Sequence, residues 1–328
     1  MQHLLVQKLM IDGQEIDISL MLSMTYIETL SLDGPRFIIT FNDMENIIRD
    51  DSGLAEKSVI TIVMQDQHLQ GGLDITEDVV IRSVTANDNG NLVAQGFPIA
   101  VDEAKKPATR TCFMINQSAL AIGLAMMPSA PVITDPFTQV EQFHLLAGER
   151  PTRKLRKLSR ELGAAIYYQR GFLNIKSLQG LFMEPIFDTY HYNNEGEEAK
   201  IVTYKSLYRD SLASELIHKH YNGWNINDGH LQATRNNGQP VEILPLNTLS
   251  QLDNQNWVLL PVIDFGTHGR GALKPGLTIG LKFHRAREGR PFDESLPEKV
   301  LIYLVAHHYE ANSYKCRVKA GVVKNARD

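Results

Sequence analysis

Hydrophobic and polar residues alternate along much of the chain, which is the pattern of short β-strands with one buried face. In roughly the first hundred residues, turn-forming Gly, Asn and Asp interrupt this alternation at regular intervals. The pattern there predicts the strands RFIITF (36–41), VITIVMQ (59–65), VVIRSVT (79–85) and LVAQGF (92–97). Strands at this spacing are typical of a small barrel or sandwich. Between the first two, residues 42–50 predict a short helix capped by Asn42 or Asp43.

Helical periodicity replaces the alternation in the middle of the chain. Residues 117–127 have a helical pattern, and PTRKLRKLSRELG (151–163) predicts the clearest helix. Three leucines fall on one face of that helix: Leu155, Leu158 and Leu162. We expect Thr152 to cap the start of the helix and Gly163 to end it in a left-handed conformation.

Strands return on both sides of this helix. Residues 164–178 predict a hairpin that turns at Arg170–Gly171. From Ile201 onward, strands are predicted over 201–208, 214–221, 257–263, 277–283, 300–309 and 314–323. The predicted fold class is therefore mainly β (α+β), with two small antiparallel β-barrels related by duplication that flank an α/β insert. The predicted domains are a first barrel over 1–115, the insert over 116–199 and a second barrel over 200–328.

Composition limits the classes of function. The chain has 328 residues, 43% of them hydrophobic, with 33 basic and 38 acidic side chains. This is the composition of a folded protein without the positive surplus that sequence-independent DNA binding needs. The amino terminus has no signal-peptide pattern and no apolar run approaches about 20 residues, so no membrane insertion is expected. Cys112 and Cys316 are expected to be reduced core residues.

Histidines and a glycine-rich segment are the candidate chemistry. His218 and His220 would share one face of a strand, a spacing that can seat a metal ion, whereas adjacent His307 and His308 would face opposite ways. No third ligand accompanies the first pair, so we interpret it as ordinary strand histidines. GTHGRGALKPG (266–276) fits neither a phosphate loop nor a dinucleotide fingerprint and predicts a flexible connection.

A basic run covers the polar face of the 151–163 helix: Arg153, Lys154, Arg156, Lys157 and Arg160. It is interpreted as a solvated face or one paired with acids of a neighbour. No signature of a nucleophile, zinc protease or paired carboxylates is present, so we predict no enzyme and no catalytic residue, cofactor or metal site. The alternative is a hydrolase or carbohydrate-binding protein with a pocket near His218 and His220.

Three segments carry a family resemblance: SMTYIETLSLDGPRFIITFND (23–43), PTRKLRKLSRELGAAIYYQRGFLNIKSL (151–178) and VLIYLVAHHYEANSYKCRVKAGVV (300–323). The first is similar to an opening pair of strands that ends in Asp. The second is similar to a helix ending in Leu-Gly and a hairpin with Gly at its turn. The third is similar to a closing hairpin with His near the end of one strand and Tyr opening the next. Together they resemble the baseplate hub family of contractile-tailed phages, whose fold also forms the amino-terminal half of type VI secretion spike proteins.

The resemblance implies a structural role in the virion tail baseplate, after assembly in the host cytoplasm. It implies a homotrimeric ring that adapts a six-fold tail tube to a three-fold central spike and lines the DNA channel. The implied partners are the tail tube protein, a separate spike protein, other baseplate proteins and genomic DNA that passes without specific binding. A distal tail component of a non-contractile phage remains a third possibility.

Overall fold

Antiparallel strands dominate the chain, as the alternating pattern predicted. The computed structural model describes residues 6–65, 74–87, 90–194, 196–207, 220–232, 241–246, 248–285, 296–310 and 313–325. We divide it into a first region (6–98), a middle region (99–183) and a last region (189–325). Three main clusters of buried hydrophobic side chains follow these regions.

The first region is a sheet of seven strands: β1 (Val6–Ile11), β2 (Gln14–Ile16), β3 (Met21–Thr29), β4 (Arg36–Asn42), β5 (Val59–Gln65), β6 (Asp74–Ala86) and β7 (Asn91–Pro98). Its spatial order is β3-β4-β7-β6-β5-β1-β2, with antiparallel neighbours throughout. The alternation of sequence produces the core directly, because Ile60, Ile62 and Met64 of β5 all point inward and are fully buried.

The predicted helix over 42–50 is displaced. Asn42 ends β4, and a single π-helical turn covers Ile47–Asp51 after Asn46, whose φ is +57°. Asp43 still satisfies a backbone donor, because its Oδ1 accepts a hydrogen bond from the Ile48 N–H at 2.7 Å. Asn42 is therefore not a helix cap. Asp43 lies before the N-cap position, which Asn46 occupies, and accepts its hydrogen bond from the second residue of the turn. A 3₁₀ turn over Ile18–Leu20 leads into β3.

The middle region mixes helices with short strands: α1 (Ile99–Lys105), β8 (Cys112–Gln117), α2 (Ala119–Met126), β9 (Val132–Thr134), β10 (Val140–Leu145), α3 (Pro151–Glu161), β11 (Ala164–Gln169), β12 (Phe172–Ser177) and α4 (Leu178–Met183). Strands β8 and β10 form one small sheet, and β11, β12 and β9 form another. Helix α3 packs its apolar stripe inward, since Leu155 and Leu158 are buried and Leu162 is half-buried. Gly163 has a φ of +59°, as predicted for the end of this helix.

The predicted cap of α3 is wrong. Arg150 occupies the N-cap position without a side-chain hydrogen bond, and Thr152 lies buried inside the first turn. The physical reason is Pro151, because proline lacks an N–H and favours the first helical position. The helix therefore begins one residue before the expected cap.

The last region continues with β13 (Thr189–Tyr192), β14 (Lys200–Ile201), β15 (Thr203–Ser206), β16 (His220–Asn225), β17 (Gly229–Gln232), β18 (Val241–Ile243), α5 (Leu249–Asn254), β19 (Trp257–His268), β20 (Thr278–Phe283), β21 (Lys299–Glu310) and β22 (Ser313–Asn325). Strands β17, β16 and β18 form a separate small sheet against α5. The others surround the third core cluster. The helices in the described part of the chain are all too short or too polar to cross a membrane.

Strand β21 joins the first and last regions into one sheet of fourteen strands. It pairs with β20 and β22 of its own region and also with β3, in a register running from Leu304↔Thr29 to Glu310↔Ser23. A closed first barrel would need β3 to pair with β1 or β2, but β3 uses that edge for β21. Within the described residues, the strand pairings therefore leave the first region open, and the two duplicated barrels stay a prediction.

The inward face of α3 gives a stability prediction. Leu158 is 2% exposed, so Leu158→Ala should lower the free energy of unfolding by about 2–5 kcal/mol through lost contacts and a residual cavity. Arg156→Ala and Lys157→Ala are matched controls on the exposed face and should each cost about 0.5 kcal/mol or less. Urea unfolding of the three variants measures the difference. Equal losses for all three would contradict this orientation of the helix.

Candidate functional site at the junction of the three regions

A carboxylate lies inside the core where the three regions meet. Strand β3 points Met24, Tyr26 and Glu28 inward by simple alternation, and all three are fully buried. An ionised carboxylate removed from water is costly unless it is paired and hydrogen-bonded. The surroundings of Glu28 therefore have to supply its partners.

Arg170 supplies the main counter-charge. It occupies the predicted turn between β11 and β12 with a φ of +49°, and Gly171 follows with a φ of +86°. Two consecutive positive φ angles suit a tight hairpin, although the first is unusual for an arginine. The guanidinium Nε and Nη2 donate hydrogen bonds to the two Glu28 carboxylate oxygens at 3.2 and 3.1 Å.

The same guanidinium reaches the last region. Arg170 Nη2 also donates to the carbonyl oxygens of Gly271 and Leu273, both at 2.8 Å. One side chain of the middle region thus ties a strand of the first region to a loop of the last. Burial works against the charge of Arg170, but the Glu28 carboxylate outweighs burial and raises the pKa of the guanidinium.

His307 completes the cluster from β21. Its Nε2 lies 3.2 Å from Glu28 Oε2, and its Nδ1 lies 2.7 Å from the Tyr314 hydroxyl and 3.4 Å from Cys316 Sγ. Burial disfavours the imidazolium, but Cys316 and Glu28 favour it more strongly, which raises the pKa of His307 to about 9. Burial alone would raise the pKa of Glu28, yet Arg170 and His307 hold it below its usual value. As predicted, His308 faces the other way, where it is half-buried and contacts Thr25.

A second buried carboxylate lies near the first. Glu77 of β6 is 5% exposed, and its Oε1 accepts a hydrogen bond from the Tyr168 hydroxyl at 2.5 Å. Its Oε2 has no partner among the described residues. Burial raises the pKa of Glu77 to about 7, and the hydrogen bond from Tyr168 only partly opposes this.

The three sequence segments that carry the family resemblance therefore meet in space, because Glu28, Arg170 and His307 each come from one of them. We call these three residues and Glu77 the junction cluster. Cys316, His307 and Glu28 are ordered like a nucleophile, a base and an orienting acid. Cys316 is only 2% exposed, however, and the other two are fully buried. The geometry supports a structural tie between the three regions rather than a site that a substrate could enter.

Sequence reasoning did not bring these residues together, because it named His307 only as a strand histidine and Arg170 only as a turn residue. The histidine pair that it weighed as a metal site is a different one. His218 is outside the described residues, and only the backbone of His220, in β16, is described. The metal interpretation of that pair therefore stays untested. Within the described ranges, no group of three or more His, Cys, Asp or Glu side chains could hold a metal ion.

The glycine-rich segment 266–276 divides between two structures. Its first residues belong to β19, and the rest link β19 to β20. That link contributes two carbonyls to Arg170, while Arg270 forms an ion pair with Asp188. A signal for part of this junction was present in the sequence, since the segment combines Arg270 and Lys274 with glycines, but the spacing matched no known motif.

The basic helix face is paired within its own chain. Lys154 lies 3.1 Å from Glu149, Lys157 lies 3.8 Å from Glu161, and Arg156 pairs with Asp33. This face was expected to be solvated or to pair with acids of a neighbouring subunit. Three of its five basic residues instead pair with acids of the same chain. Arg156 and Lys157 are exposed, so their pairs add little stability because solvent screens them.

A concave groove of about 660 Å³ crosses the outer face of the sheet in the last region. Two small residues form part of its lining, Gly266 of β19 and Ala306 of β21, on either side of Arg317 of β22. Lys205, Lys315 and Arg317 also line it, and Arg317 is paired with Asp264 at 2.8 Å. This face carries more positive than negative charge, unlike the chain as a whole.

Removing the Arg170 guanidinium should destabilise the fold, because Glu28 would stay buried without its counter-charge. Arg170→Met should lower the free energy of unfolding by about 3–5 kcal/mol, because the carboxylate would lose its main counter-charge inside the core. Arg153→Met, at an exposed position of α3, is the matched control and should have little effect. Denaturant unfolding measures both. Adding Glu28→Gln to Arg170→Met should recover part of the lost stability. If it does not, the loss does not come from the uncompensated charge of Glu28.

Glu77 should make stability depend on pH. Its pKa in the folded chain, about 7, lies above the ordinary value of 4.5. Its contribution is therefore fully present below about pH 4.5 and is lost as the pH rises through about 7. Glu77→Gln, which keeps an acceptor for Tyr168 but cannot ionise, should gain stability relative to the parent chain by up to about 3 kcal/mol over this range. Urea midpoints at about pH 5 and about pH 8 provide the comparison, and a difference that stays constant would rule out the titration of Glu77.

Comparisons with known proteins bear on the fold. The chain matches no protein-family model, and no curated protein matches its sequence. Several solved structures do match. The tail protein from Neisseria meningitidis MC58 has a TM-score of 0.66 at 10% identity, over 96% of both chains. The 43 kDa tail protein of prophage MuSo2 from Shewanella oneidensis has a TM-score of 0.62 at 10% identity, over 96% of this chain and 97% of its own.

A secretion protein shares the likeness. An E. coli protein described as a component of the type VI secretion system, with structural similarity to the T4 bacteriophage tail proteins gp27 and gp5, has a TM-score of 0.54 at 13% identity. The match covers 96% of this chain and 76% of that protein. The resemblance predicted from the three sequence segments is thus confirmed at the level of the fold: this chain has the fold of phage tail proteins and of a type VI secretion component.

Proposed function

We propose that this chain is a structural hub subunit in the baseplate of a contractile phage tail or a related injection machine. The observation that carries the proposal is the fold shared with two tail proteins, one of them from a prophage, over 96% of this chain. The likeness to a type VI secretion component supports a role common to both kinds of machine. We infer that the chain is not an enzyme, and the burial of the junction cluster supports this.

The proposed assembly is a homotrimeric ring. Each subunit contributes two barrel-like units, over 1–115 and 200–328, that arose by duplication and flank an insert over 116–199. Six such units would match a six-fold tail tube on one face, and the three-fold symmetry of the ring would match a central spike on the other. The two β-rich regions on either side of a mixed α/β region support this arrangement. A ring also offers cover for strand edges that would otherwise invite uncontrolled pairing.

The proposed partners follow from the position in the particle. They are the tail tube protein, a separate central spike protein and other baseplate proteins, in a virion tail assembled in the host cytoplasm. Genomic DNA would pass through the channel without specific binding. The net charge of −5 supports passage, because a strongly basic wall would retain the phosphates. The groove lined by Lys205, Lys315 and Arg317 would then face a protein neighbour rather than the channel.

The assembly itself is the test. The purified chain or the isolated particle should show a three-fold ring of three 36.9 kDa subunits, with a channel wide enough for double-stranded DNA. Light scattering gives the mass and electron microscopy gives the symmetry and the pore. A DNA titration at physiological salt should show weak or undetectable binding. A different stoichiometry together with a closed pore would refute the hub proposal, and tight DNA binding would refute the passive channel.

A further inference from the structure

A cavity of about 460 Å³ opens beside the junction cluster. All three regions contribute to its walls. Strand β6 of the first region provides Ile75 and Thr76, and the β19–β20 loop of the last region provides Lys274. The middle region provides Ile133 of β9 and four residues of the β11–β12 hairpin: Gln169, Arg170, Phe172 and Asn174. A ligand bound there would contact every region of the chain at once. The chemistry of the walls indicates what kind of ligand fits.

Lys274 is the unusual member of this lining. Its side chain is half-buried, yet its ammonium group forms no hydrogen bond or ion pair with the described part of the chain. Burial lowers the pKa of Lys274, and the nearby charge of Arg170 lowers it further against the opposing effect of Glu28. A partly desolvated cation that no acid contacts directly is unfavourable. A bound anion that contacts the ammonium group of Lys274 would therefore be favourable.

Arg170 is the second cationic side chain in the wall of this cavity. Its Nε and Nη2 are committed to Glu28 and to the two loop carbonyls, whereas its Nη1 makes no hydrogen bond to the described residues. Arg170 and Lys274 are the charged side chains among the residues that line the cavity, and both are cationic. The carboxylate of Glu28 pairs with Nε and Nη2 of Arg170 and does not line the cavity. Positive charge is thus in excess on the cavity walls.

We propose that this cavity binds an oxyanion, a carboxylate or a phosphate, with the ammonium of Lys274 and the Nη1 of Arg170 as its cationic contacts. Both groups form strong charge-assisted hydrogen bonds with such oxygens. Ile133 and Phe172, which are 42% and 43% exposed, provide apolar wall beside these cations and suit a ligand that also carries an apolar group. The inference is independent of the proposed ring, since it rests on the walls of a cavity within one chain.

Calorimetric titration of the full chain tests the site. The probes are sodium phosphate, sodium acetate and sodium butyrate, at an ionic strength held constant with sodium chloride. We expect saturable binding with one site per chain. Stronger binding of phosphate than of butyrate identifies a phosphate site. Stronger binding of butyrate than of acetate and phosphate identifies a carboxylate with an apolar group, and similar binding of all three shows a general oxyanion site.

Variants of Lys274 separate this site from general ionic effects. Lys274→Met keeps the shape of the side chain without its charge and should weaken binding by about tenfold or more, because a charge-assisted contact is lost. Lys274→Arg should retain binding, and so should Lys324→Met, which removes an exposed charge elsewhere. Absence of saturable binding by all three probes, or equal affinity in the parent chain and Lys274→Met, would overturn the proposal.

A second measurement uses the parent chain and so does not require a variant that folds. A bound anion would supply the missing counter-charge, so saturating ligand should raise the pKa of Lys274. Nuclear magnetic resonance of the lysine side chains during a pH titration, with and without the probe that binds most tightly, measures this shift. An unchanged pKa of Lys274 in the presence of a bound anion would place that anion elsewhere.

Discussion

The burial of one carboxylate constrains how the three regions of this chain meet. Glu28 has no access to water, so Arg170 and His307 must lie within hydrogen-bonding distance whenever the chain is folded. Apolar contacts between the three core clusters tolerate small shifts, because the hydrophobic effect has little directionality. The paired hydrogen bonds between a guanidinium and a carboxylate tolerate much less. The ion pair therefore fixes how the hairpin of the middle region sits against β3 and β21.

The elements of this fold follow from local patterns, and the sequence predicts them well. Strand β5 covers Val59–Gln65, the same residues that the alternation indicates, and α3 buries Leu155 and Leu158 as its periodicity requires. Errors arose where a neighbouring residue competed with the expected signal, as Pro151 did with Thr152. The predicted closure of the first barrel is not seen in the described residues, because alternation fixes which face of β3 is buried but not which strand takes its edge.

The junction cluster could not be predicted in the same way. Glu28 and Arg170 are separated by 142 positions, and Glu28 and His307 by 279. In a local window, Glu28 is a polar residue in a strand and Arg170 is a polar residue in a turn, and neither position shows that it is buried. The resemblance nevertheless pointed to the right segments. Its glycine at the hairpin turn is Gly171, which has a positive φ. The Tyr that opens the last strand is Tyr314, and of the two adjacent histidines it is His307 that hydrogen-bonds it.

Strand β21 gives the chain a mechanical property. It pairs with β22 of the last region along one edge and with β3 along the other, over the seven residue pairs from Leu304↔Thr29 to Glu310↔Ser23. A force applied along these two antiparallel strands would pull on the backbone hydrogen bonds in shear, so that several must break together rather than one after another. The ion pair of Glu28 with Arg170 lies within this same stretch and resists the same displacement. The chain can thus transmit tension from one β-rich region to the other through the backbone itself, without a hinge at their boundary.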